Sequence, residues 1–178
     1  TQLGSRRLQD FVRDLLAAVP VVRTRHPATR FVITGGDPPP DVAALAAGLG
    51  NAVTFAGWVR GEEKLALLQE AALLALPSYA EGVPIAVLEA MACGRVVLAS
   101  NAGGIRDIIT HGETGFMLDI HDLPRLGEAA LELLDAGARV RDEIGRNARR
   151  HVKTHHSPET EVAQLLSLYR GVLEKRRA

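Results

Sequence analysis

A chain of 178 residues, 47% of them hydrophobic, is long enough for one domain with a sizeable core and short for two. Its 21 basic and 21 acidic residues cancel, which argues against a nucleic-acid surface and leaves small molecules or proteins as the expected partners. No apolar run approaches the roughly 20 residues of a membrane helix, and residues 1–7 are no signal peptide and lack a Met, as a cut-out or processed piece would.

Leu8, Phe11, Val12, Leu15, Leu16 and Val19 recur at helical spacing and predict a helix over residues 8–19, closed by Pro20 and then by Pro27. Residues 31–34 (Phe-Val-Ile-Thr) read as a short strand stopped by Gly35-Gly36-Asp37 and three prolines. Asp41 is expected to cap a helix through Leu49, with Gly50 as its stop. A strand over 53–56 ends at Gly57, and a helix opens at Gly61 and runs to about Ala71. Residues 73–76 read as a buried strand ending at Pro77-Ser78, followed by a helix with Pro84 in its first turn. A strand over 96–100, a glycine-rich turn, a short helix over 105–110 and a strand over 115–118 come next, and beyond Asp122 the pattern is helical, punctuated by Gly137, Gly145 and Ser157-Pro158. Cys93, the only cysteine, offers no disulfide framework, makes a reducing cytoplasm the simplest setting, and is expected to pack as a small apolar residue.

Apolar runs alternating with helices predict an α/β fold: a doubly wound, Rossmann-like, mostly parallel sheet buried on both faces by helices. Residues 1–178 read as a single domain with a helical tail from about Ala138. Ligands in such sheets bind beyond the carboxyl ends of the strands, which selects the loops 35–37, 57–60, 78–84 and 100–104.

The loop 78–84 carries the strongest chemistry. Gly82 lets the backbone approach a ligand, Pro84 suits a first helical turn, and the free N–H groups there suit a diphosphate. Glu81 and Glu89 stand eight residues apart around this helix start. Glu89 lies five residues beyond Pro84, about 7.5 Å along the axis, on the border of an expected apolar face of Ile85, Leu88, Met91 and Ala92. A half-buried carboxylate needs partners, and a ribose diol offers two donors side by side. From spacing alone, a solvated Glu81 and a salt-bridged Glu89 are the ordinary alternative.

The wider sequence favours the first reading. The Glu-x7-Glu block over 77–94, with the blocks at 26–33, 53–59, 96–100, 103–105, 112–116 and 157–169, resembles the GT4-like family of retaining glycosyltransferases of the GT-B fold, in order along nearly the whole chain. The resemblance implies the C-terminal, donor-binding domain of a two-domain enzyme that transfers a sugar from a nucleoside diphosphate to an acceptor, in polysaccharide or glycolipid synthesis. It implies Glu81 at the donor sugar and Glu89 at the ribose hydroxyls, with Gly82, Val83, Pro84 and Ile85 near the phosphates. Gly57, Trp58 and Val59 would border the base, and Gly35 and Gly36 would face the cleft. The implied donor is a nucleotide sugar; no separate cofactor and no metal is expected, since there is no Asp-x-Asp. The implied partner is an N-terminal acceptor domain, without which the chain should bind donor weakly and transfer little.

Three departures stand out. The family's domain normally begins with a further strand and a Lys-Gly pair that clamps the diphosphate; those positions fall on Asp10-Phe11, with Arg6 and Arg7 as candidate substitutes. Val96 replaces a common proline, and the N-terminal domain is missing. The rival reading is a non-catalytic nucleotide-binding or partner-subunit module; a sugar-nucleotide epimerase fits the architecture but not the glutamate block. Dehydrogenase and P-loop readings lack their phosphate loops. Gly103-Gly104 serves equally as a tight turn or as amides facing the donor sugar. Trp58 reads as a base platform or as a rim or core aromatic. His151, His155 and His156 lack the further ligands of a metal site and are expected on a solvated face. Val162, Leu165, Leu166, Leu168, Tyr169, Val172 and Leu173 make the last helix a candidate for self-association.

Overall fold

The computed structural model describes residues 2–79 and 82–175, with side chains over 11–79 and 82–174. In chain order it runs α1 (Gln2–Arg23), β1 (Phe31–Thr34), α2 (Pro40–Ala47), β2 (Val53–Gly57), α3 (Gly61–Glu70), β3 (Leu73–Leu76), α4 (Ile85–Ala92), β4 (Val96–Ser100), α5 (Ile105–Ile108), β5 (Phe116–Leu118), α6 (Leu126–Asp135), α7 (Gly137–His155) and α8 (Pro158–Lys175), with 3-10 turns before β2 and α6.

Every strand pair is parallel, as the alternating pattern predicts, but the strands form two groups: β1 with β2, and β3-β4-β5 with β4 in the middle. The larger group is covered on both faces. Val97 and Ala99 of β4 pack with Val87, Ala90 and Met91 of α4, Ile105 and Ile108 of α5, and Ala148 and Val152 of α7. Val96 and Leu98 point the other way, into Ala18 and Val22 of α1, Leu126, Ala130 and Leu133 of α6, and Ile144 of α7. The smaller group is covered on one face only. Ile33, Val53 and Phe55 pack under Leu16 of α1 and Val42 and Ala46 of α2, while Val32, Thr34 and Thr54 are exposed. Burial on both faces, expected of all the strands, therefore holds for β4 and fails for β1 and β2. The physical reason lies in α3, whose first turn is charged and which buries no residue.

Several expected boundaries shift. Pro20 does not close α1; it sits inside the helix with its ring exposed, while Val19 and Val22 on either side are buried at 1% exposure. Burying that extra turn outweighs the intrahelical bond that a proline cannot donate. Asp41 is not a cap: Pro39 precedes α2, Asp41 lies in the first turn, and its carboxylate pairs with Arg13 of α1. Gly145 does not interrupt α7. It marks the crossing of α7 over the end of α4, where an added Cβ would stand 2.0 Å from the Gly94 carbonyl oxygen. Nor is the chain beyond Ala138 a tail, because α7 supplies core residues to both faces; α8 alone lies at the periphery, with all seven of its large apolar residues exposed. Cys93 is half-buried at the C-terminal end of α4.

Candidate functional site

The four loops chosen from sequence all leave the carboxyl ends of parallel strands, so the topology gathers them along one edge. After β4, the buried Ser100 hydroxyl accepts from the Ser78 amide at 2.7 Å and donates to the Ser78 carbonyl. That pair of bonds ties the loop leaving β3 to the end of β4. A second tie lies one turn on, where the Gly104 N–H donates to the Gly82 carbonyl at 3.1 Å. An added Cβ at Gly104 would stand 2.3 Å from that same oxygen, so only glycine permits the approach. Of the two readings of Gly103-Gly104, the turn prevails: Gly103 has φ +53° and the Gly104 amide is committed to Gly82.

Between these ties the loop opens into α4. Pro84 is buried and stands one position before the helix, at φ −74° and ψ 108°, rather than in its first turn. Gly82, Val83, Ile85 and Ala86 are exposed. The helix start, where the Ile85 and Ala86 amides have no partner among the described residues, thus faces outward, the arrangement an anion requires. The expected apolar face is rotated. Val87, Ala90 and Met91 are buried, whereas Ile85 is 61% exposed and Ala92 is also exposed. In an eight-residue helix carrying a single charged residue, periodicity has too little contrast to choose a face.

Glu81, the residue expected at the donor sugar, lies outside the described residues. Glu89 is well defined. It projects from the middle of α4, and its Oε1 receives a hydrogen bond from Lys64 Nζ of α3 at 2.5 Å, with side-chain exposures of 33% and 37%. The half-buried carboxylate therefore has a partner, as its position demands. Sequence reading passed over Lys64. The available signal was charge pattern: it is the one cation of α3, directly after the loop expected to border the base.

That loop and its neighbour are joined as well. The Gly35 N–H donates to the Gly57 carbonyl at 2.8 Å, and both glycines have positive φ, at 134° and 67°. Trp58 follows with 78% exposure, which excludes a core role and places the indole on the rim, its Nε1 4.0 Å from where a Cβ on Gly36 would stand. Val59 is half-buried beside it. The structure thus brings Gly35, Gly36, Gly57, Trp58 and Val59 to one corner, and Gly82, Val83, Pro84, Ile85, Gly103 and Gly104 to the next. Glu89 and Lys64 bridge α4 and α3 between them.

At the expected diphosphate clamp, the side chains of Arg6, Arg7 and Asp10 lie outside the described ones, and Phe11 stacks on Tyr79 with ring centroids 5.4 Å apart. Two grooves, of about 520 and 200 Å3, contain none of the loop residues above. The first is lined by Glu113 and Thr114 ahead of β5 and by residues of α7, the second by the starts of β3 and β4, so both open at the opposite edge of the sheet. Strand polarity favours the loop edge over either groove. No group of three or more His, Cys, Asp or Glu side chains is placed to hold a metal among the described residues. His151 is no solvated-face residue: its Nε2 is buried, and burial followed by the neighbouring His155 and His156 lowers its pKa.

Residues 3–136 match the family described as Glycosyl transferases group 1. The chain is 35% identical over 156 residues to the D-inositol 3-phosphate glycosyltransferase of Acidothermus cellulolyticus, covering 83% of this chain and 34% of that protein. Sucrose-phosphate synthase from Thermosynechococcus elongatus superposes with a TM-score of 0.75 at 30% identity, over 96% of this chain and 43% of that one. TarM of S. aureus, crystallised in complex with fondaparinux, alpha-GlcNAc-glycerol and UDP, superposes with a TM-score of 0.78 at 23% identity, over 89% of this chain and 32% of that one. The chain thus spans 34%, 43% and 32% of the length of these three proteins, less than half of each. With a family match across most of its length, the chain belongs to the Glycosyl transferases group 1 family.

Proposed function

We propose that this chain is the donor-binding half of a retaining glycosyltransferase that takes a sugar from a nucleoside diphosphate to an acceptor in glycolipid or polysaccharide synthesis. One observation carries the reading: Glu89, held by Lys64, stands between the rim tryptophan and an outward-facing helix start on the edge where a parallel sheet binds nucleotides. In that geometry the Glu89 carboxylate accepts from the ribose hydroxyls, and the corner of Gly57, Trp58 and Val59 borders the base. The diphosphate meets the N–H groups of Val83, Ile85 and Ala86, where the positive end of α4 offsets its charge without a metal ion or other cofactor. Glu81, one residue before Gly82, is the group assigned to the donor sugar.

The acceptor side belongs to a second, N-terminal domain or subunit that closes over this edge, excludes water and aligns the acceptor. Alone, the chain should therefore bind nucleotide and transfer little. UDP in the TarM complex supports a nucleoside-diphosphate donor as a class. A cytoplasmic setting suits this chemistry; no described helix is long and apolar enough to cross a membrane.

Calorimetric titration with UDP, GDP and ADP, beside Glu89→Ala, tests the reading. Saturable binding of one nucleotide, weakened at least tenfold in the variant, is expected; a tenfold loss corresponds to about 1.4 kcal/mol. One observation favours the rival, a module that does not take part in transfer: Phe11 and Tyr79 stack where the family's clamp is expected. Absence of binding to all three nucleotides by the folded chain would favour the partner-subunit form of that rival over its nucleotide-binding form.

A further inference from the structure

We infer that Lys64 is a positioning residue for the donor: through its ion pair it fixes the Glu89 carboxylate in the orientation that receives the ribose diol. The inference rests on the donor-site reading above and gives Lys64 a role in binding that the reading leaves unassigned.

Three observations carry it. The contact is short, Lys64 Nζ to Glu89 Oε1 at 2.5 Å, and engages one carboxylate oxygen, leaving Oε2 without a hydrogen bond among the described residues. An ammonium on Oε1 removes most of the freedom of a long side chain while Oε2 and the remaining lone pairs of Oε1 stay open to two hydroxyl donors. Second, α3 buries no residue, and Leu68 is its one side chain packed against the core of the larger sheet. Lys64 is thus the polar tie between α3 and α4. Third, Lys64 lies in the first turn of α3, four residues after Arg60, whose carbonyl accepts from the Lys64 amide at 3.4 Å. The same residue that orients the ribose carboxylate therefore anchors the end of the loop carrying Trp58. An exposed ion pair adds little to folding. Its consequence is pre-organisation, because a carboxylate already oriented loses less rotamer freedom when the ligand arrives.

The test uses this chain with whichever of UDP, GDP or ADP it binds, and with the 2′-deoxy form of the same nucleotide. Titrations compare the wild type with Lys64→Met, Lys64→Arg, Glu89→Gln and the double variant Lys64→Met/Glu89→Gln. The expected wild type prefers the ribonucleotide. Lys64→Met should weaken the ribonucleotide on the order of tenfold, leave the 2′-deoxy form nearly unchanged and barely move the melting temperature. Lys64→Arg should recover most of the preference, and the double variant should match Glu89→Gln alone. Wild-type affinity in Lys64→Met overturns the inference. So does an equal loss for both sugars, or a double variant weaker than Glu89→Gln, since either result places Lys64 on the ligand by itself. A wild type that binds no nucleotide removes the donor reading and this inference together, whereas binding lost in Glu89→Ala and kept in Lys64→Met removes this inference alone.

Discussion

Strands β3 to β5 and strands β1 and β2 are written in the same residue types, yet only the first group is covered on both faces. Every residue of β4 is buried, with a paired strand on each side and helices on both faces. In β1 the pattern alternates between half-buried and exposed, and Val32 remains 46% exposed. The division has a topological meaning. A doubly wound sheet in the order 3-2-1-4-5-6 is built around its first strand. Without that strand it falls into a pair and a triplet, and β2-β1 beside β3-β4-β5 is that pattern. The edges of β1 and β3 that such a strand would join have no ladder partner among the described residues. The candidate site residues divide along the same line: Gly82 to Ile85 and Glu89 follow β3 of the well-packed triplet, Trp58 follows β2 of the sparsely packed pair, and Lys64 lies on α3 between the two in the chain, tied to α4 through Glu89.

The contrast should be largest in local stability. Native-state hydrogen exchange is expected to leave the β4 amides open only to global unfolding while those of β1 exchange through local opening, a difference of orders of magnitude in rate. Equal protection in the two strands would break the comparison. Mutation should report the same difference. Leu98→Ala removes a side chain 1% exposed in the β4 core and should cost roughly 2–5 kcal/mol. Val32→Ala on the open face of β1 should cost roughly 0.5–1 kcal/mol. Chemical denaturation of the two variants measures both.

Glycines sharpen the comparison at the site itself. Gly104→Ala must push the Gly82 carbonyl away, since its Cβ would lie 2.3 Å from that oxygen, so it should cost roughly 1–3 kcal/mol and weaken nucleotide binding by displacing the loop ahead of α4. Gly57→Ala meets no atom within 4 Å and pays only for its positive φ, roughly 1 kcal/mol. Thermal melts together with nucleotide titration separate the two mechanisms. An unchanged affinity in Gly104→Ala would show that the Gly82 tie does not shape the donor edge. Ser100→Ala acts on the same loop by a different route: it removes the hydroxyl that bonds both the Ser78 amide and the Ser78 carbonyl, at a cost of roughly 1–3 kcal/mol, read by the same melts.

Much of this was legible in the chain. Residues 73–76 and 96–100 were readable as strands because continuous apolar runs bounded by turn residues have one stable home, a sheet covered on both faces. The loop edge followed from strand polarity alone. What could not be read is equally physical. The burial face of α4 was misassigned because seven of its eight residues are apolar, which leaves no contrast for a helical period to detect. Pro20 was taken as a stop because a local rule cannot see the tertiary burial of Val19 and Val22 that carries α1 through it. Lys64 is hard to read because the one cation of α3 is only a charge-pattern signal until the fold sets it against Glu89. Gly145 was read as punctuation because its reason, the close crossing with Gly94, lies far away in sequence.

The smallest expected effect is one of pH, and it concerns the cover of the triplet. His151 belongs to α7, and its buried Nε2 makes no hydrogen bond among the described residues. Its ring lies 4.8 Å from that of His155 and 5.5 Å from that of His156, with Arg150 beside it and Glu113 across the groove, while Glu161 of α8 approaches His156 at 3.8 Å. Burial first, and then the two neighbouring imidazoles, push its pKa below the ordinary 6.5. In the window between that lowered value and 6.5, the unfolded chain binds a proton that the folded chain refuses, so stability rises with pH across the window and is lost as pH falls through it. The melting temperature should accordingly decline as the pH is lowered from about 7.5 toward 5, before the carboxylates titrate. In His151→Gln the decline should flatten, because the replacement carries no proton to gain. A decline of the same steepness in that variant would show that His151 is not the source of the acid sensitivity. Since Ala148 and Val152 flank His151 on α7 and pack directly against β4, hydrogen exchange near pH 5 should show β4 losing part of its advantage over β1.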